Sequence, residues 1–185
     1  MMYQQDGLFP WLTTEENIKL GLRQIKDAGE RERQLRDMLE LVGLAGFARH
    51  YPHQLSGGMR QRAELARALS GDTDILLLDE PFSALDYLTR LRLRRELALM
   101  LEERPRTVVL VTHDIEEAAQ LADRVVVLSE RPARLRRVVR LSSNRPRDLT
   151  EPEVVEAVHQ ILTEMGLESD RRQDSEMITG GIVDA

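Results

Sequence analysis

The run Ile75-Leu76-Leu77-Leu78-Asp79-Glu80 constrains this chain more than any other part of it. Four apolar residues in a row suit a short strand buried on both faces, as in a parallel sheet. Two acids stand where that strand would end. Adjacent carboxylates repel unless a proton or cation intervenes, and the carboxyl ends of strands are where open α/β sheets bind ligands. Either acid alone passes for a solvated residue at a strand exit. An apolar strand delivering both fits a phosphate-bound Mg²⁺ at Asp79, with Glu80 orienting and deprotonating an attacking water.

Helix and strand signals alternate around this run. Thr13-Thr14-Glu15-Glu16 has the spacing of a capping box and predicts a helix to about residue 25. Leu35, Met38, Leu39 and Val42 share one face of a second helix, predicted over 31–42. Ser56 should cap a third helix that ends before Gly71. Beyond the acids the pattern predicts a helix over 87–103, a buried strand at 107–111, a helix over 114–122 and a strand at 124–128. An alternating strand at 134–140 should form the sheet's edge, and an amphipathic helix should open near Pro152. The fold class is α/β, with a parallel-sheet core. Residues after about 168 are polar and expected to be disordered.

Composition narrows the function classes. The net charge of −6 argues against a dominant basic surface for nucleic acid. There is no cysteine, hence no disulfide framework and no thiolate metal site. No apolar run reaches the length of a membrane span, and the first eleven residues do not read as a secretory signal. Work at a membrane would therefore be done from the cytoplasmic side, through a partner.

Three further features carry candidate chemistry. Leu55-Ser56-Gly57-Gly58-Met59-Arg60-Gln61-Arg62 is a helix start with glycines in its first turn. Free N–H groups and the helix dipole at such an end favour a phosphate, although a plain capped helix explains the same residues. Asp86, in Ser83-Ala84-Leu85-Asp86, reads equally as the N-cap of the next helix. His113 follows the strand at 107–111 and would lie beside Asp79 and Glu80 if the two strands are neighbours; a lone histidine is otherwise more often structural.

In this order, these features resemble the ATPase subunits of ABC transporters. Residues 55–61 resemble the signature motif of that family and residues 75–80 its Walker B strand with the catalytic glutamate. Residues 83–86 resemble the D-loop, His113 the switch histidine, and Tyr3-Gln4-Gln5-Asp6 the Q-loop. The resemblance implies ATP and Mg²⁺ as cofactors. Glu80, His113 and Gln4 would serve catalysis, Asp79 and Gln4 would meet Mg²⁺, and Ser56, Gly57, Gly58, Gln61 and Asp86 would contact nucleotide. It implies a P-loop NTPase core of ABC type with residues 1–12 as a core strand end and Q-loop. Residues 13–54 would form a helical subdomain, 55–141 the signature helix and ATPase core, and 142–167 a C-terminal helical extension. The implied partners are a second ATPase subunit, transmembrane permease subunits and, through the complex, a solute-binding protein; nucleic acid is not among them. The implied place of work is the cytoplasmic face of the cell membrane. Asp6-Gly7-Leu8-Phe9-Pro10-Trp11-Leu12-Thr13 and Tyr51-Pro52-His53-Gln54 resemble the branch that imports nitrate, sulfonate or taurine.

The sequence departs from that family in one respect. No G-x-x-x-x-G-K-[ST] loop occurs in it, and that loop supplies most of the grip on phosphate. Met1-Met2-Tyr3 reads as the end of an internal strand, so the reading frame is expected to extend upstream and the chain alone to be inactive; its sheet would lack strands and carry an open edge. Arg90, Arg92, Arg94 and Arg95, and the arginines of 131–140, read as solvated charge rather than a nucleic-acid groove. Two other classes stay open: a mechanical ABC ATPase acting on ribosomes or DNA, and a non-catalytic interaction module.

Overall fold

The computed structural model describes residues 7–166. The strand end expected at residues 1–3, the glutamine at position 4 and the tail from 168 lie outside them.

Helix α1 (Thr14–Lys19) opens on the expected reciprocal cap, in which the Thr13 hydroxyl accepts from the Glu16 N–H and the Glu16 carboxylate accepts from the Thr13 N–H. It is shorter than predicted. From Leu20 the chain turns and passes close to the end of helix α3 (Gly57–Leu69), where a Cβ on Gly21 would lie 2.5 Å from the Arg67 carbonyl oxygen. Helix α2 (Ala28–Leu41) starts earlier than predicted, because Asp27 caps it and Gly29 is absorbed into its first turn. Gly43, with φ of 65°, gives the left-handed turn just past its end.

Strands β1 (Ile75–Asp79) and β2 (Thr107–Val111) pair in parallel, in a register from Ile75 against Thr107 to Asp79 against Val111. Helix α4 (Tyr87–Glu103) makes the crossover between them. Burial on both faces of β1 does not occur among the described residues. Leu76 and Leu78 are each 1% exposed, but Ile75 is 61% and Leu77 37%. The buried face joins Leu65 and Leu69 of α3 and Leu93, Leu97 and Leu101 of α4 in one core, which continues to Ile18, Leu22, Leu35 and Leu39 in the first helices. No described element covers the other face.

The expected edge strand is also placed differently. Strands β3 (Arg124–Leu128) and β4 (Leu135–Arg140) form their own antiparallel pair, apart from β1 and β2. The connection between them is short and turns on Ser129, whose N–H donates to the Arg134 carbonyl and whose Oγ accepts from the Arg134 N–H. A connection this short makes a hairpin and cannot cross over into a parallel pair. Helix α6 (Pro152–Met165) packs Val154, Ala157 and Ile161 on Val127 and Val139 to make a second core. Helix α5 (Ile115–Leu121) joins the two cores, with Ala119 in the second and Leu121 in the first. No helix among the described residues is long and apolar enough to cross a membrane.

Candidate functional site

The parallel register places the ends of β1 and β2 side by side, and the expected meeting of Glu80 and His113 follows from it. Glu80 sits one residue past β1 in a left-handed conformation, φ 48°, uncommon for a side chain larger than glycine. Its main chain is held at both ends. The N–H donates to the Val111 carbonyl at 2.9 Å, and the carbonyl accepts from Gln61 Nε2 at 2.8 Å. Backbone strain of this kind persists where neighbours over-determine it, and it concentrates at functional positions.

The Glu80 Oε1 accepts from the His113 backbone N–H at 3.0 Å and lies 2.7 Å from His113 Nδ1. The Glu80 side chain is 14% exposed and that of His113 78%. The hydrogen bond to the Glu80 carboxylate, and then its charge, raise the imidazole pKa above its ordinary value. Asp79, half-buried, is the last residue of β1 and lies opposite Val111.

The start of α3 lies near the loop that follows Glu80. Ser56 is exposed and caps the helix, its Oγ accepting from the Met59 N–H at 3.3 Å. Gly57 and Gly58 differ. A Cβ on Gly57 would meet nothing within 4 Å, whereas one on Gly58 would lie 2.9 Å from the Ala84 carbonyl oxygen. Gln61 is turned inward: Nε2 donates to the Glu80 carbonyl and, at 3.0 Å, to Ser83 Oγ, while Oε1 accepts from the Ala84 N–H at 2.8 Å. Gly58 and Gln61 thus tie α3 to the 80–86 loop. Asp86 caps α4, accepting from the Thr89 N–H at 3.1 Å, and Thr89 holds its carboxyl below the ordinary range.

The arginines of α4 need a correction. Read as a solvated face, they include Arg94, whose side chain is 2% exposed, and Arg90, at 29%. The reason is a pair of acids on the facing helix. Asp114 caps α5, Oδ1 accepting from the Glu117 N–H at 3.0 Å, and its Oδ2 takes both Arg90 Nη1, at 3.2 Å, and Arg94 Nη2. Arg94 Nη2 also lies 3.5 Å from Glu117 Oε2. Burial pushes the Asp114 carboxyl up, but the Glu117 N–H and the arginines outweigh it and hold it below its usual value. At Glu117 burial prevails and pushes the carboxyl up to about 7. Arginines four apart on one helix and acids three apart on another are the signal that could have revealed this cluster.

A sequence profile described as ABC transporter matches residues 1–83. The chain is 49% identical over 147 residues to the aliphatic sulfonates import ATP-binding protein SsuB 1 of Rhodococcus jostii, covering 80% of this chain and 57% of that protein. It is 42% identical over 164 residues to the protein of the same description from Pseudomonas savastanoi pv. phaseolicola, covering 89% of this chain and 68% of that one. An uncharacterized ABC transporter ATP-binding protein of Methanocaldococcus jannaschii is 44% identical over 88% of this chain and 61% of its own length. The chain thus spans roughly three-fifths of most of these relatives. Among solved structures, the dimeric post-hydrolysis state of the ATP-binding cassette MJ0796, bound to ADP and Pi, is similar with a TM-score of 0.67 at 37% identity, over 77% of this chain and 62% of that one.

Proposed function

The chain belongs to the ABC transporter ATP-binding proteins, and on that premise we propose that its residues form the water-activating side of an ATPase that drives uptake of a small anion such as a sulfonate, taurine or nitrate. The observation that carries the reading is the Glu80 carboxylate at the end of β1, held by the His113 N–H and facing its ring. A carboxylate so placed orients a water and takes its proton, while His113 fixes the carboxylate and faces the terminal phosphate. Asp79 would meet Mg²⁺. ATP supplies the phosphoryl group and its bound Mg²⁺ neutralises charge on it. The proposal assigns Gln4 to the same catalytic and metal side, and no residue of this sequence to the phosphate-gripping loop.

The exposed Ser56 and Gly57 would face nucleotide held by a second ATPase subunit, with Gly58, Gln61 and Asp86 shaping that surface from behind; solved relatives described as dimeric support this arrangement. Permease subunits would dock where Phe9, Trp11, Phe47 and Tyr51 stay exposed. A cleft of about 440 Å³, lined by Leu8, Pro10, Pro52, His53, Arg60 and Glu64, opens beside Phe9 and Tyr51 in the chain. The subunit would work at the cytoplasmic face of the membrane and reach a solute-binding protein through the complex. The relatives described as aliphatic sulfonate import proteins support the choice of solute.

The test is Glu80→Gln in purified protein that includes a phosphate-gripping loop, because these residues without one are expected to be inactive. Turnover should fall by about two to four orders of magnitude, the range of a lost general base, while Mg-ATP binding persists in calorimetry. Hydrolysis by this variant at the parental rate would remove Glu80 from catalysis.

A further inference from the structure

We propose that Arg94 and Asp114 are positioning residues for the Glu80–His113 pair, setting the water-activating group from the core of α4. The proposal rests on the catalytic reading of Glu80.

The His113 side chain is 78% exposed, so packing does little to hold it. Its place is set by its main chain. The turn carrying it is fixed on one side by the Glu80 N–H to the Val111 carbonyl, and on the other by Asp114, whose N–H donates to Thr112 Oγ1 at 3.0 Å. Asp114 is in turn gripped by Arg90 and Arg94. The groups facing the Asp114 carboxylate are thus Arg90 and Arg94 from α4 and the N–H of Glu117 from its own helix, with the Glu117 carboxylate behind Arg94.

Arg94 lies in a stretch of α4 with buried Leu93, Leu97 and Ala98, where an apolar residue would pack. A buried guanidinium is costly unless paired, and replacing such a pair by apolar residues is often neutral or stabilising. Stability alone therefore gives little reason for charge here. The pair does give direction: a two-centre grip on one carboxylate fixes the first turn of α5, and with it the residue immediately before the cap. Errors of about 1 Å in a catalytic group cost up to about a hundredfold in rate.

The test is Asp114→Asn in the same loop-containing protein, labelled with ¹⁵N-histidine, with the His113 ring assigned from His113→Ala. Asparagine still caps α5 but offers the arginines no charge. The His113 Nδ1 resonance should move toward that of an unbonded imidazole, and kcat for ATP should fall about tenfold with KM changed less than about twofold. In the His113→Ala background the Asp114→Asn effect on kcat should shrink to less than about twofold. An unmoved His113 resonance, or an equal loss of kcat without His113, overturns the proposal. Arg90→Gln, at the rim of the cluster, should shift the same resonance in the same direction by less and serves if Asp114→Asn does not fold. If the parent protein shows no turnover that Glu80→Gln removes, it is the catalytic reading that fails, and the ring resonance still decides the positioning.

Discussion

At the end of β1 the Glu80 carboxylate is 14% exposed and engaged by His113, and Asp114, the residue after His113, pairs with Arg90 and Arg94 of α4. At the start of α3, Ser56 and Gly57 are exposed, and a Cβ on Gly57 would meet open space. The two ends are nevertheless joined through Gln61, which spans from α3 to the Glu80 carbonyl and to Ala84. One end is assembled from the chain's own residues and the other is displayed. A group that must be aimed needs neighbours that over-determine it; a surface offered to another molecule needs only a stable helix end.

If that contrast holds, substitutions at the first end should act on chemistry and charge, and those at the second on backbone fit. The largest effect should come from His113→Ala, with turnover lower by about a hundredfold or more as the carboxylate loses its aim. Steady-state assays of the loop-containing protein check this; parental turnover would leave His113 without a part in the reaction. Glu117→Gln should follow. Its folded carboxyl titrates near 7 against an unfolded value near 4.5, so the native state binds more protons between those limits and stability falls as pH rises through the window. Glutamine removes that dependence. The stability of Glu117→Gln relative to the parent should therefore grow by about 2–3 kcal/mol between pH 4.5 and pH 8. Urea unfolding at both ends of the range reads the difference, and His113, present in both proteins, cancels from it. A constant offset would mean that Glu117 titrates in the folded state as it does in the unfolded one.

Much of this contrast can be read from residue order. Caps at Thr13, Ser56 and Asp86 rest on local hydrogen bonds that a few neighbouring residues decide, and they occur as expected. The meeting of Glu80 with His113 needs only that two apolar strands be parallel neighbours. Burial is harder, because it depends on segments far away in the sequence. The run at 75–78 gives no sign that Leu76 and Leu78 would be covered while Ile75 is not. Arg94 looks like any arginine of a charged helix until α5 brings Asp114 and Glu117 against it. The inward turn of Gln61 depends likewise on where the 80–86 loop passes.

The two glycines of α3 give the next step down in size. Gly58→Ala would put its Cβ 2.9 Å from the Ala84 carbonyl, a backbone atom in the loop that Gln61 also holds. Loop or helix must shift, at about 1–3 kcal/mol by the measure of overpacked sites. Turnover should fall as well, because Glu80 begins that loop. Gly57→Ala should leave stability within about 0.5 kcal/mol of the parent, in the range of open surface sites. Thermal unfolding of both variants checks the pair, and equal losses would mean that Gly57 is as enclosed as Gly58.

The smallest effect separates the cap at the displayed end from the surface it supports. Ser56→Ala removes the oxygen that accepts from the Met59 N–H. The hydrogen bond is long, at 3.3 Å, and exposed, so water can replace it in part. The loss should sit near the low end of the N-cap range, about 0.5–1 kcal/mol. Ser56→Asp restores the cap and adds a negative charge at the positive end of α3, so stability should return to the parental value or slightly above it. The same charge would oppose a phosphate brought by a second subunit. Ser56→Asp should therefore melt like the parent yet show weaker ATP-dependent dimerisation, measured by light scattering in the loop-containing protein with the Glu80→Gln substitution present to prevent turnover. Ser56→Ala should show the reverse order, with a lower melting temperature and dimerisation nearer the parental level. If both variants dimerise as the parent does, the start of α3 is a capped helix end and no more.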